Sequence, residues 1–142
     1  PTIDTDTQSD LKIADGVVVT ATSGNVDLSA REHITIDGDV IAKTGNIAIA
    51  ADSDVRGRGN VDASGNIDAE QGSVDITGRA VTVNTVHAGQ DIEITSLQDV
   101  GYEGGGVVDA QGLISTDNGD VDIMVKATPE ATDIFGEPIF PE

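Results

Sequence analysis

The sequence of 142 residues contains no cysteine and no tryptophan, and aromatic residues make up only 2% of it. Without cysteine, the chain has neither a disulfide framework nor a cysteine-ligated zinc site. No apolar run approaches the roughly 20 residues of a transmembrane helix, so we expect no membrane insertion. The scarcity of aromatic rings also disfavours a polysaccharide site built on stacking platforms.

Positive charge is equally scarce. Seven basic residues stand against 26 acidic ones, which gives a formal net charge of −19. Such a chain repels phosphate and has too few cations for a basic stripe, so we expect no nucleic-acid partner. The length fits one domain or one stretch of a longer repetitive molecule.

The apolar residues that are present favour strands. The sequence has 16 valines and 15 isoleucines against four leucines. β-Branched side chains suit pleated strands, whereas helical proteins are rich in leucine. Glycine, asparagine, aspartate and serine interrupt the chain every few residues, so the strands should be short. The composition therefore predicts an all-β fold.

A short phrase recurs along the chain: an apolar-x-small stretch, a turn with glycine, a polar residue and an apolar-x-apolar triplet. Copies of the phrase are found at Val19–Leu28, Ile41–Ile49, Val61–Ala69, Ile67–Ile76, Val86–Ile94 and Ile114–Ile123. A unit of this length cannot bury its own apolar face, but stacked units can. The repeat predicts a parallel β-helix of about six turns over residues 11–127, with two or three short strands in each turn. Residues 1–10 are expected to form a polar N-terminal extension, and residues 128–142 an extended tail that contains proline and phenylalanine.

Three asparagines, Asn25, Asn46 and Asn66, directly follow a glycine of the repeat. If they stack on one another, their amides form a hydrogen-bond ladder along one corner of the helix. The alternative is that asparagine is simply a common turn residue.

The Gly-Asn-Val/Ile-x-Leu/Ile phrase and its spacing of about 20 residues resemble the repeats of the filamentous haemagglutinin family of bacterial surface exoproteins and adhesins. The resemblance covers roughly residues 11–127. The sequence lacks the Asn-Pro-Asn-type motif of that family's secretion domain. It implies a right-handed parallel β-helix in a bacterial secreted protein that is extracellular or at the cell surface.

The middle positions of the apolar-x-apolar triplets are often acidic and should point outward. They are Asp27, Asp62, Asp68, Asp75, Glu93 and Asp122. Aligned carboxylates repel one another, so cations, salt or a staggered register must offset the repulsion. Calcium is the cation that suits such groups, and the denser acidic pairs are the candidate ligands. These candidates are Asp37, Asp39, Asp52, Asp54, Asp117 and Asp120. The alternative is a solvated acidic surface without a bound cation, and we expect no other cofactor.

Catalytic and binding residues are harder to single out. A polysaccharide-cleaving enzyme would use Arg56, Arg58 and Arg79 with the nearby Asp52, Asp54 and Asp75, but no aromatic residue lies near them to hold a sugar ring. Surface or turn roles are expected for His33 and His87. Tyr102, Arg56 and Arg58 are the candidate ligand-binding residues, because their loops interrupt the repeat.

The C-terminal tail holds both phenylalanines of the sequence in two similar phrases. Ile134, Phe135, Ile139 and Phe140 are therefore candidate assembly residues. They would cap the last turn of the chain, lead into a following domain, or dock on a neighbouring copy.

The sequence is thus interpreted as a non-enzymatic extracellular structural protein: a β-solenoid shaft segment, adhesin piece or filament subunit. Its expected partners are further copies of the chain or neighbouring domains of a longer one. A glycan- or protein-binding β-helix module is the alternative, and a polysaccharide lyase or hydrolase is the third hypothesis.

Overall fold

The computed structural model describes residues 2–4, 10–51, 59–98 and 107–127, with the backbone alone for residues 2–4, 98, 126 and 127. Within these ranges the chain forms 14 β-strands and no helix. All strand pairs are parallel, and the strands stack into a β-solenoid with three faces, as the all-β parallel β-helix prediction required.

Each face is a ladder of strands from successive passages of the chain. Face 1 contains β2 (Leu11–Ile13), β5 (Ile34–Ile36), the first part of β8 (Val61–Ala69), the first part of β10 (Ala80–Ala88) and β12 (Val107–Ala110). Face 2 contains β3 (Val18–Ala21), β6 (Asp39–Ala42), the second parts of β8 and β10, and β13 (Ile114–Thr116). Face 3 contains β1 (Thr2–Asp4), β4 (Val26–Ser29), β7 (Ile47–Ala50), β9 (Val74–Gly78), β11 (Ile92–Gln98) and β14 (Val121–Ala127).

One passage over faces 1, 2 and 3 is called a coil. Coil one is β2–β4, coil two β5–β7, coil three β8–β9, coil four β10–β11 and coil five β12–β14. From β2 to β12 the chain returns to face 1 four times, so the solenoid has about four turns, and the prediction of about six was too high.

The overestimate has two causes: some coils are longer than the assumed length of about 20 residues, as in the step from Ile34 to Val61, and one copy of the repeat belongs to another corner. Five of the six apolar-x-apolar triplets that ended the predicted phrases lie on face 3. The triplet Ile67–Ala69 lies instead on face 2, where it pairs with the second part of β10. The phrase Val61–Ala69 therefore spans the corner between faces 1 and 2, whereas the other copies span the corner between faces 2 and 3. Both corners use glycine followed by asparagine, so the sequence phrase alone does not separate them.

The core follows from the two-residue period of the strands. Inward side chains are almost all valine, isoleucine, leucine or alanine, and they form one buried cluster from Leu11 to Ile94. In β9, for example, Val74 and Ile76 are buried while Asp75 is exposed. Identical positions stack in register from coil to coil, because every strand pairs with its counterpart one coil later.

Part of the predicted N-terminal extension belongs to the described solenoid. β1 pairs with β4 in register, so the predicted polar extension 1–10 contributes a strand to face 3. The predicted tail 128–142 lies outside the described residues.

Candidate functional site

The corner between faces 2 and 3 carries a ladder of hydrogen bonds from coil to coil. The backbone N–H of Asn46 donates to Oδ1 of Asn25, and that of Ser73 donates to Oδ1 of Asn46, both at 2.8 Å. The N–H of Asp91 donates to Oγ of Ser73 at 3.3 Å, and that of Asp120 donates to Oδ1 of Asp91 at 2.9 Å. Each polar side chain therefore holds the backbone of the next coil.

This corner ladder differs from the predicted amide ladder in two respects. The donors are backbone N–H groups rather than side-chain amides, so serine and aspartate serve as well as asparagine. Asn66 lies at another corner: it pairs with Thr85, and its N–H donates to Oδ1 of Asp39 at 3.3 Å. Its placement in one column with Asn25 and Asn46 was wrong, because Val61–Ala69 belongs to a different corner.

The other two corners also carry hydrogen bonds from polar side chains between coils. Before face 1, the N–H of His33 donates to Oδ1 of Asp10 at 3.1 Å, and the N–H of Asn60 donates to Nδ1 of His33 at 3.1 Å. The N–H of Ala80 then donates to Oδ1 of Asn60 at 3.2 Å. Between faces 1 and 2, Oγ of Ser64 donates to Oδ1 of Asp37 at 2.9 Å. Polar side chains thus satisfy backbone donors where the strand ladders are interrupted.

The outward acidic residues do not form one continuous column. Asp27, Ala48, Asp75, Glu93 and Asp122 follow one another on face 3. Asp62 lies on face 1 between Thr35 and Thr82, and Asp68 lies on face 2 between Ile41 and His87. Ala48 separates Asp27 from the other carboxylates, so direct stacking of like charges is limited to the last three residues of the face-3 column.

The surroundings of Asp75 disfavour ionisation of its carboxyl group. Partial desolvation raises the pKa of its carboxyl, the Glu93 carboxylate raises it further, and a hydrogen bond with Thr77 opposes both effects. The small Ala48 side chain leaves a shallow depression beside Asp75. This acidic groove is bounded by Asp27, Asp75, Glu93 and the corner ladder.

On face 2, His87 bridges two carboxylates from different coils. Its Nδ1 lies 2.6 Å from Oδ1 of Asp68 on β8, and its Nε2 lies 3.1 Å from Oδ1 of Asp117 after β13. The two hydrogen bonds raise the pKa of His87, against a smaller opposing effect of desolvation. Ser115 follows His87 in the same column, but Asp117 faces the Nε2 that would have to activate a serine nucleophile.

The sequence-predicted site residues are distributed over these features. Asp37 and Asp39 accept corner hydrogen bonds, Asp117 contacts His87, and the N–H of Asp120 donates to Asp91. Across residues 10–51, 59–98 and 107–127, no group of three or more histidine, aspartate or glutamate side chains is arranged to hold a metal ion. The remaining candidates lie outside the described residues: Asp52, Asp54, Arg56, Arg58, Tyr102, Ile134, Phe135, Ile139 and Phe140. Of the hypothetical carbohydrate-cleaving set, Asp75 lies in the face-3 column and Arg79 lies in the corner between β9 and β10.

Sequence reasoning assigned His87 only a surface or turn role and missed its two partners. The signal was nevertheless present. His87 is the middle residue of Val86–Ala88, as Asp68 is the middle residue of Ile67–Ala69. Aligning these two phrases on one face, rather than placing Ile67–Ala69 with the face-3 triplets, predicts the contact.

At the end of the solenoid formed by coil five, apolar side chains are exposed to solvent. Val121 and Ile123 occupy inward positions above the fully buried Ile92 and Ile94, yet they are 41% and 47% exposed. Val107 and Leu113 are also exposed. In coil one the inward Leu11 and Ile13 are only 4% exposed, and the exposed apolar residues are Val17 and Val18. The apolar end face of coil five is therefore the larger uncovered apolar surface of the two described ends.

No family model, no curated protein and no solved structure matches the chain. In the part of the chain that the structure describes, no helix is long and apolar enough to cross a membrane.

Proposed function

We propose that the chain is a non-enzymatic, extracellular structural segment, a β-solenoid shaft or adhesin piece, that joins a second copy of itself through the end face of coil five. The observation that carries the proposal is the uniformity of the described body. Each coil presents the same inward apolar positions to the next, and polar corner ladders fasten the coils at their edges. A rod of this kind is a stiff spacer.

The two described ends of the solenoid differ in the exposure of their inward residues, and this difference favours a second copy as the partner. Every inner coil covers its inward valines and isoleucines with the next coil, but Val121 and Ile123 in coil five remain exposed. The inward residues of coil one, Leu11 and Ile13, are already buried. A symmetric pair that buries the same patch from both subunits covers the exposed end and leaves the other end free.

The extracellular location rests on a different kind of support. The Gly-Asn-Val/Ile-x-Leu/Ile phrases resemble those of filamentous haemagglutinin-type exoproteins, which are surface proteins. The absence of cysteine and the net charge of −19 are compatible with this location.

Sedimentation velocity at moderate ionic strength tests the proposal. We expect a concentration-dependent dimer, and we expect Ile123→Lys to return it to the monomer, because a charge in the centre of the end face cannot be buried unpaired. The matched control is Met124→Lys, which places the same charge at the adjacent, outward position of β14. A wild-type chain that stays monomeric at all concentrations would contradict end-face pairing. Equal loss of association in both variants would assign the contact to another surface.

A binding module is the second candidate, and the acidic groove on face 3 is the observation that favours it. Its raised Asp75 pKa and its aligned carboxylates suit a basic protein segment rather than a neutral glycan. Binding of a lysine-rich peptide that is lost in Asp75→Asn but kept in Asp62→Asn would support this function. Equal binding by both variants would reduce it to non-specific charge attraction.

A further inference from the structure

His87 is placed where three coils meet. It projects outward from β10 in coil four, Asp68 projects from β8 in coil three, and Asp117 follows β13 in coil five. The imidazole therefore forms a side-chain link between coil five and coils three and four. Coil five is also joined to coil four by the backbone ladders from β10 to β12 and β13 and from β11 to β14, by turn hydrogen bonds such as that from Asp117 N–H to the Ala88 carbonyl, and by the corner bond from Asp120 to Asp91.

The chemistry of this arrangement depends on protonation. A neutral imidazole has one N–H donor and one lone pair, so it can donate to only one of two ionised carboxylates. The imidazolium form has two N–H donors and a positive charge, and it satisfies both carboxylates at once. With carboxylate oxygens at 2.6 Å and 3.1 Å from its two nitrogens, the geometry suits the charged form.

The charged groups around His87 reinforce this preference. Asp39 on β6 lines the same depression as Asp68 and His87, whereas Thr85 on β10 and Ser115 on β13 are neutral. Lys43, which follows β6, lies 3.8 Å from Glu70. The charged residues of the other packed strands, Asp75 on β9, Glu93 on β11 and Asp109 on β12, occupy outward positions of faces 3 and 1.

We propose that Asp68, His87 and Asp117 form a pH-dependent clasp that fastens coil five to the body of the solenoid. The contact adds to a coil whose inward Val121 and Ile123 stay 41% and 47% exposed, while its Val108 and Ile114 pack partly against the core. The clasp is closed when His87 is protonated. It loses one of its two bonds when the imidazole becomes neutral.

The direction of the pH effect follows from linkage. The folded-state pKa of His87 is raised above its ordinary value of 6.5. The added stability is therefore fully present below that ordinary value, and it is lost as the pH rises through the folded-state pKa. Opening of coil five should become more frequent over that same interval, whereas coils two and three should not respond.

Nuclear magnetic resonance on the full chain tests the clasp in two linked measurements. The first is the titration midpoint of His87 in wild type, in Asp117→Asn and in the control Asp109→Asn, which removes a coil-five carboxylate that does not contact His87. The second is the amide hydrogen-exchange protection of β13 and β14, corrected for the intrinsic pH dependence of exchange, with β9 as internal reference.

We expect Asp117→Asn to lower the His87 midpoint and Asp109→Asn to leave it near the wild-type value. Each unit by which Asp117 raises the midpoint should correspond to about a tenfold loss of coil-five protection between the acidic and basic plateaus. A wild-type midpoint equal to that of the chain unfolded in urea would overturn the proposal. Coil-five protection that is independent of pH would overturn it as well. The wild-type measurements decide the matter even if a variant fails to fold.

Discussion

At the scale of single residues, the corners are where side-chain identity matters most. The strand positions need only an apolar side chain of suitable size, whereas each corner needs an oxygen or nitrogen at the place where the next coil presents its N–H. Asparagine, serine, aspartate and histidine all meet that need in this chain. Because several residue types accept these bonds, stacked asparagines make up only part of the ladder.

Asn46 is the residue that tests the ladder, since it both donates to Asn25 and accepts from Ser73. Asn46→Ala leaves the N–H of Ser73 without its side-chain acceptor, and we expect a loss of about 1 kcal/mol in the free energy of unfolding. The control is Thr44→Ala, an exposed change two residues earlier, which should cost little. Urea denaturation of both variants makes the comparison. An equal effect in the two would mean that water replaces the ladder bond without cost.

In the acidic column on face 3, by contrast, removal of a charge should stabilise the fold. Because the folded-state pKa of Asp75 is raised, ionisation of this carboxyl destabilises the fold, and the destabilisation develops as the pH rises above the ordinary value of 3.8. Asp75→Asn should therefore stabilise the protein near neutral pH by about 0.5 kcal/mol or less, since solvent screens an exposed group. Asp62→Asn, which has threonines on both sides in its column, should not do so. Thermal denaturation at neutral and acidic pH separates the two variants, and a gain that persists below the ordinary value would contradict the electrostatic explanation.

At the scale of elements, the coils are held close by small residues at the corners. A Cβ on Gly45 would overlap the backbone carbonyl of Gly24 in the coil before it, and one on Gly72 would overlap the carbonyl of Gly45. Gly24 differs from both: it has φ of +88° and open space around its Cβ position. These neighbouring glycines therefore serve two purposes, close approach in one case and a left-handed backbone in the other.

The difference between the two glycines is measurable. Gly24→Ala should cost about 1 kcal/mol, because only the left-handed backbone is strained. Gly45→Ala should cost about 2 kcal/mol or more, since the backbones of coils one and two must move apart. Chemical denaturation of the two variants gives the ranking. A Gly24→Ala variant that is the less stable of the pair would contradict the proposed role of close coil contact.

The elements also show how far sequence reasoning extends. Alternation in triplets such as Val74–Ile76 and Ile92–Ile94 correctly predicted which side chains face the core. Side chains alternate every two residues along a strand, and a register shift of one residue would expose the whole buried face. The number of turns was too high because some coils exceed about 20 residues and because two corners share the same glycine and asparagine chemistry. The contact of His87 with Asp117 was missed, since it joins residues 30 positions apart across coils of unequal length.

At the scale of the whole molecule, charge and end-face burial act against each other. A net charge of −19 opposes the approach of two copies, while the exposed valines and isoleucine of coil five favour it. At 0.1 M, salt limits the range of the repulsion to about 10 Å, and it leaves apolar burial intact. We therefore expect association to strengthen as sodium chloride is added, and sedimentation equilibrium over a salt series measures this. Association that weakens with salt would point to an ion-paired interface instead.

Pairing through coil five is tested by negative-stain electron microscopy of the wild-type chain, Ile123→Lys and a chain that ends at Thr128. The account predicts short rods of twice the monomer length for the wild type and single-length rods for Ile123→Lys. Double-length rods should also persist in the shortened chain, because the end face of coil five is formed by described residues before that point. Single-length particles in every wild-type preparation would contradict a structural segment that pairs through coil five. Long fibres would contradict pairing through one end alone.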